Sequence, residues 1–359
     1  MDHALRRAGL ADRVAELDLD ALYVTRRPNV RYLTGFTGSN AQTLVGGVGS
    51  MFFTDGRYEE QSRHEVADLD RRIYLDGSPP VAEAVSQLQV RRLGFESGGV
   101  TYRQWERLRD AVEGAAELIP VDGAVEELRR RKDEDEIALI DAAQGCADVA
   151  FEQVILGDGL RAGITERELA LDLELAMRRA GADDTAFDTI AAFGEHAAEP
   201  HHHPTDRPLR HGDVVKVDFG ALAAGYHSDM TRTVAFGDPG PRLCEIRDVV
   251  AAAQGAGIAA VRPGASVAEV DGAARSVIEE AGYGSSFPHG LGHGVGLEIH
   301  EAPFLRWDLD EVLEPGMVVT IEPGVYIPGL GGVRIEDMVE VTADGRRPIP
   351  RSSKELRPS

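Results

Sequence analysis

Three histidines lie in one glycine-rich stretch, 285-SSFPHGLGHGVGLEIHEAP-303. His289 and His293 are four residues apart, which fits a helix, but the four glycines within residues 290–296 argue against one. In an extended strand both side chains would lie on the same face. Because His300 has the opposite parity from His293, a bend or bulge between them is predicted if all three serve one site.

Four carboxylates occur in two similar hairpins elsewhere in the chain. The segment 212-GDVVKVDFG-220 matches 316-GMVVTIEPG-324 at an offset of 104 residues, which aligns Asp218 with Glu322. Each segment is followed by a glycine-marked turn and a second strand that carries acids, 225-GYHSDMTRTV-234 and 332-GVRIEDMVEV-341. The repetition indicates an internally duplicated domain.

The turn positions predict which acids face each other. If Asp218 faces Asp229, the turn is centred between Ala223 and Ala224, and if Glu322 faces Glu336, it is centred at Gly329. Both positions lie in residues suited to turns. Directly opposed side chains have Cβ atoms about 4.5–5.5 Å apart, so each pair would bring two like charges together.

Four carboxylates among apolar strand residues are costly to bury without a cation. One alternative is that they point to solvent. The other is that two divalent ions neutralise them and that one imidazole from the histidine-rich stretch completes a mostly oxygen ligand set. Such a set suits Mn²⁺ and Co²⁺ and is compatible with Zn²⁺. Two metals about 3.5–4 Å apart can bridge a water and hold it as a hydroxide nucleophile, which predicts metal-assisted hydrolysis.

A second histidine run, His201–His203, stands in 199-EPHHHPTDRP-208. An exposed polar loop is the simpler interpretation, and such a run alone is weak evidence of metal binding. The flanking Pro200 and Pro204 restrict the loop, so one of the three histidines could be held rigidly.

Composition narrows the function class. Acidic residues outnumber basic ones 61 to 38, for a net charge of −23, which disfavours nucleic acid as a partner. Two cysteines exclude a disulfide framework and favour a reducing, cytoplasmic location. The opening residues read as an amphipathic helix, no signal-peptide pattern occurs, and no apolar run is long enough to cross a membrane.

The chain of 359 residues is predicted to form two domains. Residues 1–124 alternate helical and strand patterns, with strands at 21–25, 42–54 and 92–97, and read as an α/β domain. A charge-rich helical stretch, 125–154, opens a second domain of residues 125–359. Its run RRRKDEDE is interpreted as a solvated helix face.

Together these motifs resemble the Xaa-Pro peptidases, aminopeptidase P and prolidase, of the pita-bread metallopeptidase family M24. VDFG, SDMTRT, HGLGHGVGLEIHE, TIEPGVY and VRIEDM occur in the family's order, and 28-PNVRYLTGFTGSNAQTLV-45 and 54-TDGRYEEQ-61 resemble its smaller first domain. The resemblance implies a creatinase/prolidase-like N-terminal α/β domain followed by a pita-bread catalytic domain with internal pseudo-two-fold duplication.

The resemblance also implies the roles of individual residues. Two divalent ions, Mn²⁺ first and Co²⁺ or Zn²⁺ as alternatives, would be held by Asp218, Asp229, His293, Glu322 and Glu336. Glu322 would also accept a proton from the bridging water. His201, His289 and His300 would bind substrate carbonyl groups and stabilise the oxyanion, and Arg334 would support the site. The substrate would be a peptide cut before proline, with a free amino terminus on the preceding residue, and the enzyme a homodimer.

One local departure leaves the substrate length open. Several relatives read H-E-x-P-R after the last histidine, whereas this chain reads 300-HEAPFLRW-307, with Phe304 at the arginine position and Arg306 two residues later. Either Arg306 grips the carboxylate of a dipeptide, or longer peptides are accepted. Three other functions are weighed: methionine aminopeptidase, which generally lacks such a first domain; creatinase, which has no metal; and a non-catalytic pita-bread binding module, which usually loses ligands.

Overall fold

A computed structural model describes residues 1–75 and 77–356. The chain folds into two compact units, Met1–Arg129 and Arg130–Ser359. The sequence analysis begins the second domain five residues earlier, at residue 125, so the short helix Ala124–Arg129 belongs to the first unit here. No helix within the described residues has both the length and the hydropathy needed to cross a membrane.

A six-stranded mixed sheet forms the core of the first unit, in the order β4-β3-β2-β1-β5-β6. Its strands are β1 (Ala21–Val24), β2 (Ala41–Gly46), β3 (Gly49–Asp55), β4 (Asp70–Tyr74), β5 (Arg92–Glu96) and β6 (Glu117–Val121). Its helices are α1 (His3–Glu16), α2 (Arg27–Thr34), α3 (Glu59–Glu65), α4 (Val81–Gln87), α5 (Tyr102–Val112) and α6 (Ala124–Arg129). The predicted α/β architecture of this part is therefore confirmed.

Two details of the first unit differ from the sequence prediction. The single strand predicted over 42–54 is a hairpin of β2 and β3, because the chain reverses at the turn between Gly46 and Gly49. Helix α2 was not predicted at all. It begins with a proline in its first turn and ends at Gly35, whose φ of 75° places it in the left-handed region that glycine tolerates.

The second unit has four α-helices, three shorter π- or 3-10-helical segments and thirteen strands within its described residues. The helices are α7 (Glu134–Ala150), α8 (Glu166–Arg179), α9 (Pro241–Ala260) and α10 (Val267–Glu280). The first seven strands are β7 (Asp184–Thr185), β8 (Ile190–Phe193), β9 (Asp213–Phe219), β10 (Ala221–Ala223), β11 (Tyr226–His227), β12 (Met230–Phe236) and β13 (Gly292–Gly294). The others are β14 (Glu301–Leu305), β15 (Val318–Ile321), β16 (Gly324–Ile327), β17 (Gly331–Arg334), β18 (Asp337–Thr342) and β19 (Gly345–Pro348).

The same pattern of elements occurs twice in this unit. Helices α7 and α8 precede the sheet β12-β9-β8, and helices α9 and α10 precede the sheet β14-β13-β15-β18-β19. Each half has its own buried apolar cluster, one around Leu173 and Val217 and one around Val250 and Val319. This arrangement is the internal duplication that the repeated hairpins predict, and it agrees with the pita-bread layout that the resemblance implies.

The predicted helical stretch 125–154 is interrupted. Helix α7 begins at a capping box, in which Asp133 accepts from the Glu136 amide and Glu136 accepts from the Asp133 amide. Residues 130–133 therefore separate α6 from α7. The interpretation of the charge run as a solvated helix face is wrong, because Arg129 and Lys132 are buried and the Lys132 ammonium lies 2.6 Å from the Glu301 carboxylate.

The two hairpin registers had different outcomes. The predicted second register is confirmed: β15 pairs with β18 and β16 with β17 in one continuous alignment that sets Glu322 opposite Glu336, and the turn lies at Gly329. The first register is displaced by two residues, so Asp218 faces Thr231 rather than Asp229. The reason is the turn at Ala224–Gly225, where both residues have positive φ (47° and 84°), a conformation that favours glycine at position 225.

Candidate metal centre

Four strand ends bring the predicted acids to the middle of the second unit. Asp218 lies near the end of β9, and Asp229 directly precedes β12. Glu322 follows β15 and Glu336 precedes β18, in the short gap between the two paired ladders. The observed register of the first hairpin differs from the predicted one by two residues, and side chains two residues apart in a strand lie on the same face. Asp218 and Asp229 therefore still share a face of the sheet, but as diagonal rather than directly opposed neighbours.

The five predicted ligands line a single cavity of about 570 Å³. Oxygen and nitrogen atoms of Asp229, His293 and Glu336 lie within 4.8 Å of one another. His293 Nε2 is 3.3 Å from Glu322 Oε1 and 3.6 Å from Asp229 Oδ2. All five side chains are largely buried.

His293 presents its Nε2 lone pair to the acids. Its Nδ1 lies 3.0 Å from the carbonyl oxygen of Gly294, a contact in which the ring must donate. That bond selects the tautomer in which Nε2 is unprotonated. Burial, followed by the nearby His300, lowers the pKa of His293 to about 3, so the ring is neutral at physiological pH.

Three of the acids, Asp229, Glu322 and Glu336, have raised pKa values because they are buried close to other carboxylates. Burial, followed by Glu336 and Asp218, raises the pKa of Asp229 well above its usual value. Burial, followed by Glu322 and Asp218, does the same for Glu336. Burial also raises the pKa of Glu322 to about 7. A cluster of buried carboxylates is stable when protons neutralise its charge or when metal cations replace those protons.

One buried carboxylate oxygen indicates that the acid cluster can accommodate a cation. Asp218 Oδ1 has no hydrogen-bond partner among the described residues, while Asp218 Oδ2 pairs with Arg334. A buried carboxylate oxygen without a donor costs free energy unless a cation meets it. Together with three more carboxylates and an imidazole lone pair, it forms a donor set that fits divalent cations such as manganese.

Arg334 connects several parts of the site. Its guanidinium contacts Asp218, donates to the Thr231 hydroxyl at 3.0 Å and to the Tyr326 hydroxyl at 2.9 Å, and reaches the Pro200 carbonyl at 3.2 Å. Its side chain is almost wholly buried. This cation therefore offsets part of the negative charge and joins strands β9, β12 and β16 to the loop at Pro200.

Three polar residues beside the acids were missed by sequence reasoning. Thr231 donates to Glu336 at 2.7 Å, and Thr320 donates to Glu322 at 3.1 Å while accepting from the His293 amide at 3.0 Å. Tyr326 contacts His289 Nε2 at 3.0 Å. Thr320 could have been found, because it stands two residues before Glu322 and so shares its face. Tyr326 carries no comparable signal.

The other predicted histidines occupy the rim of the cavity. His300 is exposed, and its ring centre lies 4.3 Å from that of His293. The predicted irregularity between them is confirmed, since the register of β13 and β14 shifts between His293 and Gly294. His201 is exposed and lines the same cavity. His289 is more enclosed, and burial, followed by Arg334, lowers its pKa to about 4.

A further group of potential metal-binding residues was not anticipated. Glu166, His196 and His202 also present ligand atoms within 4.8 Å of one another. His196 was not singled out from the sequence, and the run His201–His203 did not indicate which of its members is held rigidly. These residues are joined by direct hydrogen bonds, which distinguishes them from the group around His293.

Comparisons with known proteins agree with this geometry. Residues 138–343 match the metallopeptidase family M24, and residues 6–131 match the creatinase/prolidase N-terminal domain. A Xaa-Pro dipeptidase of Pyrococcus horikoshii is 37% identical over 94% of this chain and 94% of its own length.

Solved structures give the same result for the whole fold. A Xaa-Pro dipeptidase from Bacillus anthracis superposes with a TM-score of 0.96 at 40% identity, covering 99% of each chain. An X-Pro aminopeptidase from Thermotoga maritima superposes with a TM-score of 0.89 at 34% identity, covering 96% of this chain and 99% of the other. The resemblance predicted from the motifs is confirmed: the chain belongs to metallopeptidase family M24, with a creatinase/prolidase-type N-terminal domain.

Proposed function

We propose that this chain hydrolyses the peptide bond preceding proline in Xaa-Pro dipeptides or in peptides that begin Xaa-Pro. The observation that supports it best is the convergence of four carboxylates and the His293 lone pair on one cavity, where Asp218 Oδ1 has no hydrogen-bond partner within residues 1–75 and 77–356. Relatives named Xaa-Pro dipeptidase and X-Pro aminopeptidase over nearly the full chain support the substrate class.

In this proposal Asp218, Asp229, His293, Glu322 and Glu336 hold two divalent ions, Mn²⁺ in preference to Co²⁺ or Zn²⁺. When bound, the ions supply a water of lowered pKa and polarise the carbonyl of the scissile bond. Glu322 lines the cavity beside His293, where it is placed to take up a proton from the water and pass it to the leaving proline nitrogen.

The rim histidines act on the substrate rather than on the ions. His201 and His300 are exposed to the cavity, where they can donate to the carbonyl oxygen as it becomes an oxyanion. His289 is neutral at physiological pH and meets the Tyr326 hydroxyl, which also accepts from Arg334. It shapes the wall next to the substrate, and Arg334 holds Asp218 in position through their ion pair. A homodimer in the cytoplasm completes the proposal.

Arg306 is proposed to favour dipeptides. It lines the cavity together with Phe304, and its guanidinium is half-exposed and pairs with Asp308. A dipeptide carboxylate could replace Asp308 as its partner. We expect Arg306→Ala to lower kcat/KM for Ala-Pro at least about tenfold and to leave Ala-Pro-Ala within about twofold, because only the dipeptide ends at the proline. Equal losses on both peptides would contradict this role.

The main experiment measures cleavage by protein stripped of metal and reloaded with Mn²⁺, Co²⁺ or Zn²⁺. The substrates are Ala-Pro, Ala-Pro-Ala and a peptide that begins with methionine and lacks proline. We expect Mn²⁺ to restore cleavage of an Xaa-Pro substrate and the methionine peptide to remain intact. No cleavage of any Xaa-Pro peptide with Mn²⁺ or Co²⁺ would refute the proposal, and preference for the methionine peptide would favour methionine aminopeptidase.

A further inference from the structure

The Glu166 carboxylate is a buried anchor for the segment that carries His201. It is fully inaccessible to solvent, at the first position of α8. Its Oε1 accepts from the Phe193 amide at 2.8 Å and from His196 Nδ1 at 2.9 Å. Its Oε2 accepts from His202 Nε2 at 2.9 Å and from the Thr205 amide and hydroxyl at 3.0 and 2.6 Å. All five donors belong to residues 193–205.

His202 is held between two carboxylates. Its Nε2 lies 2.9 Å from Glu166 Oε2 and its Nδ1 lies 2.7 Å from Glu199 Oε2. The side chain is only 5% exposed, so it does not share the open position of His201. Because a carboxylate only accepts, both ring nitrogens must carry hydrogens for both contacts to be hydrogen bonds. Two charge-assisted bonds of this kind fix the ring strongly.

The residue on the other side of His201 is fixed as well. The Pro200 carbonyl accepts from Arg334 at 3.2 Å and from Lys216 Nζ at 3.4 Å. Lys216, which is fully buried, also donates to the Glu199 carbonyl at 2.5 Å. His201 is therefore an exposed side chain on a backbone restrained both before and after it.

We propose that Glu166 and His202 form a positioning pair that fixes residues 199–205 and thereby aims His201 at the substrate. This inference rests on the proposed function, because it assumes that His201 acts on a bound peptide. It divides the three-histidine run into distinct roles: His201 is an exposed side chain at the cavity, while His202, which also borders the cavity but is only 5% exposed, anchors the backbone. Neither Glu166 nor His202 contacts substrate in this arrangement.

A third metal ion at Glu166, His196 and His202 is the competing interpretation. Both Glu166 oxygens already accept at least two hydrogen bonds each. Both His202 nitrogens lie at hydrogen-bond distance from carboxylate oxygens, at 2.7 and 2.9 Å. The hydrogen bonds alone account for the group, so we favour positioning.

The test is a double-mutant cycle on the Mn²⁺-loaded protein, with Ala-Pro and Ala-Pro-Ala as substrates. His202→Ala should lower kcat about 10- to 100-fold with little change in KM, since a displacement of about 1 Å has effects of this size. When His201 is already replaced by alanine, adding His202→Ala should lower kcat by a further factor of less than about two, because the effect of His202 passes through His201. Equal factors in both backgrounds would overturn the proposal.

The matched control is Asp206→Asn. Asp206 also ties this segment to α8, through an ion pair with Arg167, but both side chains are well exposed, at 79% and 62%. Exposed pairs contribute little, so its kcat should stay within about twofold of the wild type. A loss equal to that of His202→Ala would mean that any tether of the loop matters, which also contradicts a specific pair.

Two further measurements keep the outcome interpretable. If His202→Ala does not fold, His202→Gln, which can reach one carboxylate but not both, replaces it in the cycle with the same expectations. Metal content is measured throughout, and loss of one metal equivalent in His202→Ala would favour the metal site instead. An inactive wild type would refute the proposed function, whereas an active wild type with additive losses would refute the positioning pair alone.

Discussion

At the scale of single residues, the hydrogen bonds of each histidine separate its role from those of its neighbours. His293 donates through Nδ1 and turns Nε2 toward acids that are crowded and partly protonated. Both ring nitrogens of His202 lie at hydrogen-bond distance from carboxylates, and His300 lies exposed at the rim. Residue type alone cannot make this distinction, because all three are imidazoles with the same unperturbed pKa.

Asp229→Asn tests the acid cluster directly. The amide keeps the shape of the side chain but removes a charge that a divalent ion needs, so we expect lower metal occupancy and a loss of turnover of at least about 1,000-fold. Metal content by elemental analysis and kcat on Ala-Pro are the measurements. Asp172→Asn, on the outer part of α8, is the control and should change neither. Retained metal and activity in Asp229→Asn would show that Asp229 is not a ligand.

His300→Ala separates a role in the transition state from metal binding. We expect kcat to fall about 10- to 1,000-fold while metal content is unchanged, because the proposed contact forms as negative charge develops on the carbonyl oxygen. The measurements are kcat on Ala-Pro and the amount of bound metal, and the comparison is between the factors by which each falls. A parallel loss of both would make His300 a ligand.

At the scale of elements, the face of the sheet on which each side chain lies could be predicted better than the pairing register of the strands. The side chains of Asp218 and Asp229 have the predicted phase, but their register is displaced by two residues. The displacement follows from a two-residue turn with positive φ at both positions, for which several placements exist in the run ALAAG. The second hairpin has a turn glycine at position 329 and was placed correctly.

Gly292→Ala tests how closely β13 must approach β15. A Cβ at Gly292 would lie 2.0 Å from the Thr320 carbonyl oxygen, which is backbone and cannot rotate away. The strand must therefore shift, and it carries His293 with it. We expect the free energy of unfolding to fall by about 1–3 kcal/mol and metal binding to become weaker.

Gly345→Ala is the matched control for that substitution. It is also in a strand of the second unit, but a Cβ there meets no atom within 4 Å. We expect its free energy of unfolding to stay within about 0.5 kcal/mol of the wild type. If Gly292→Ala behaves like the control in denaturant titration and metal titration, the close approach of the two strands is unimportant.

At the scale of the whole molecule, the sequence predicted which residues converge and that Arg334 supports them, but not the contacts through which the support acts. The repeated acids, the two domains and the family could be read from motifs and spacing. The bracing contacts join residues far apart in the chain, such as Arg334 with Asp218 and Glu166 with His202. No local pattern marks such pairs, because they depend on how the two halves and their loops pack.

The charge of the site makes metal binding depend on pH. Asp229 and Glu336 have raised pKa values in the metal-free site, and that of Glu322 is about 7. Metal ions bind the deprotonated carboxylates, so binding must release protons. We therefore expect Mn²⁺ affinity to fall as pH is lowered from 8 to 6, with proton release measurable by calorimetry in buffers of different ionisation enthalpy. An affinity independent of pH would contradict the protonated cluster.

The same groups predict the stability of the metal-free protein. A carboxyl whose folded pKa is raised stabilises the fold fully below its unfolded pKa of about 4, and that stability is lost as pH rises through the folded pKa. Between pH 7.0 and 8.5, His289 and His293 are neutral in the folded state and nearly so in the unfolded state, so they contribute little. Burial, followed by Arg334, lowers the pKa of Lys216 and opposes the trend by at most about one proton.

Comparison with Glu336→Gln therefore isolates the effect of one acid. The amide cannot ionise, so the variant lacks that proton while Lys216 and the other acids remain. We expect metal-free wild type to lose more stability between pH 7.0 and 8.5 than the variant does, by up to about 1.36 kcal/mol per unit of pH for the one proton. Thermal unfolding with a chelator present measures both. If the stability of both proteins changed equally with pH, Glu336 would be ionised over the whole range from pH 7.0 to 8.5. Repulsion among the buried acids would then be weaker than their shared burial implies.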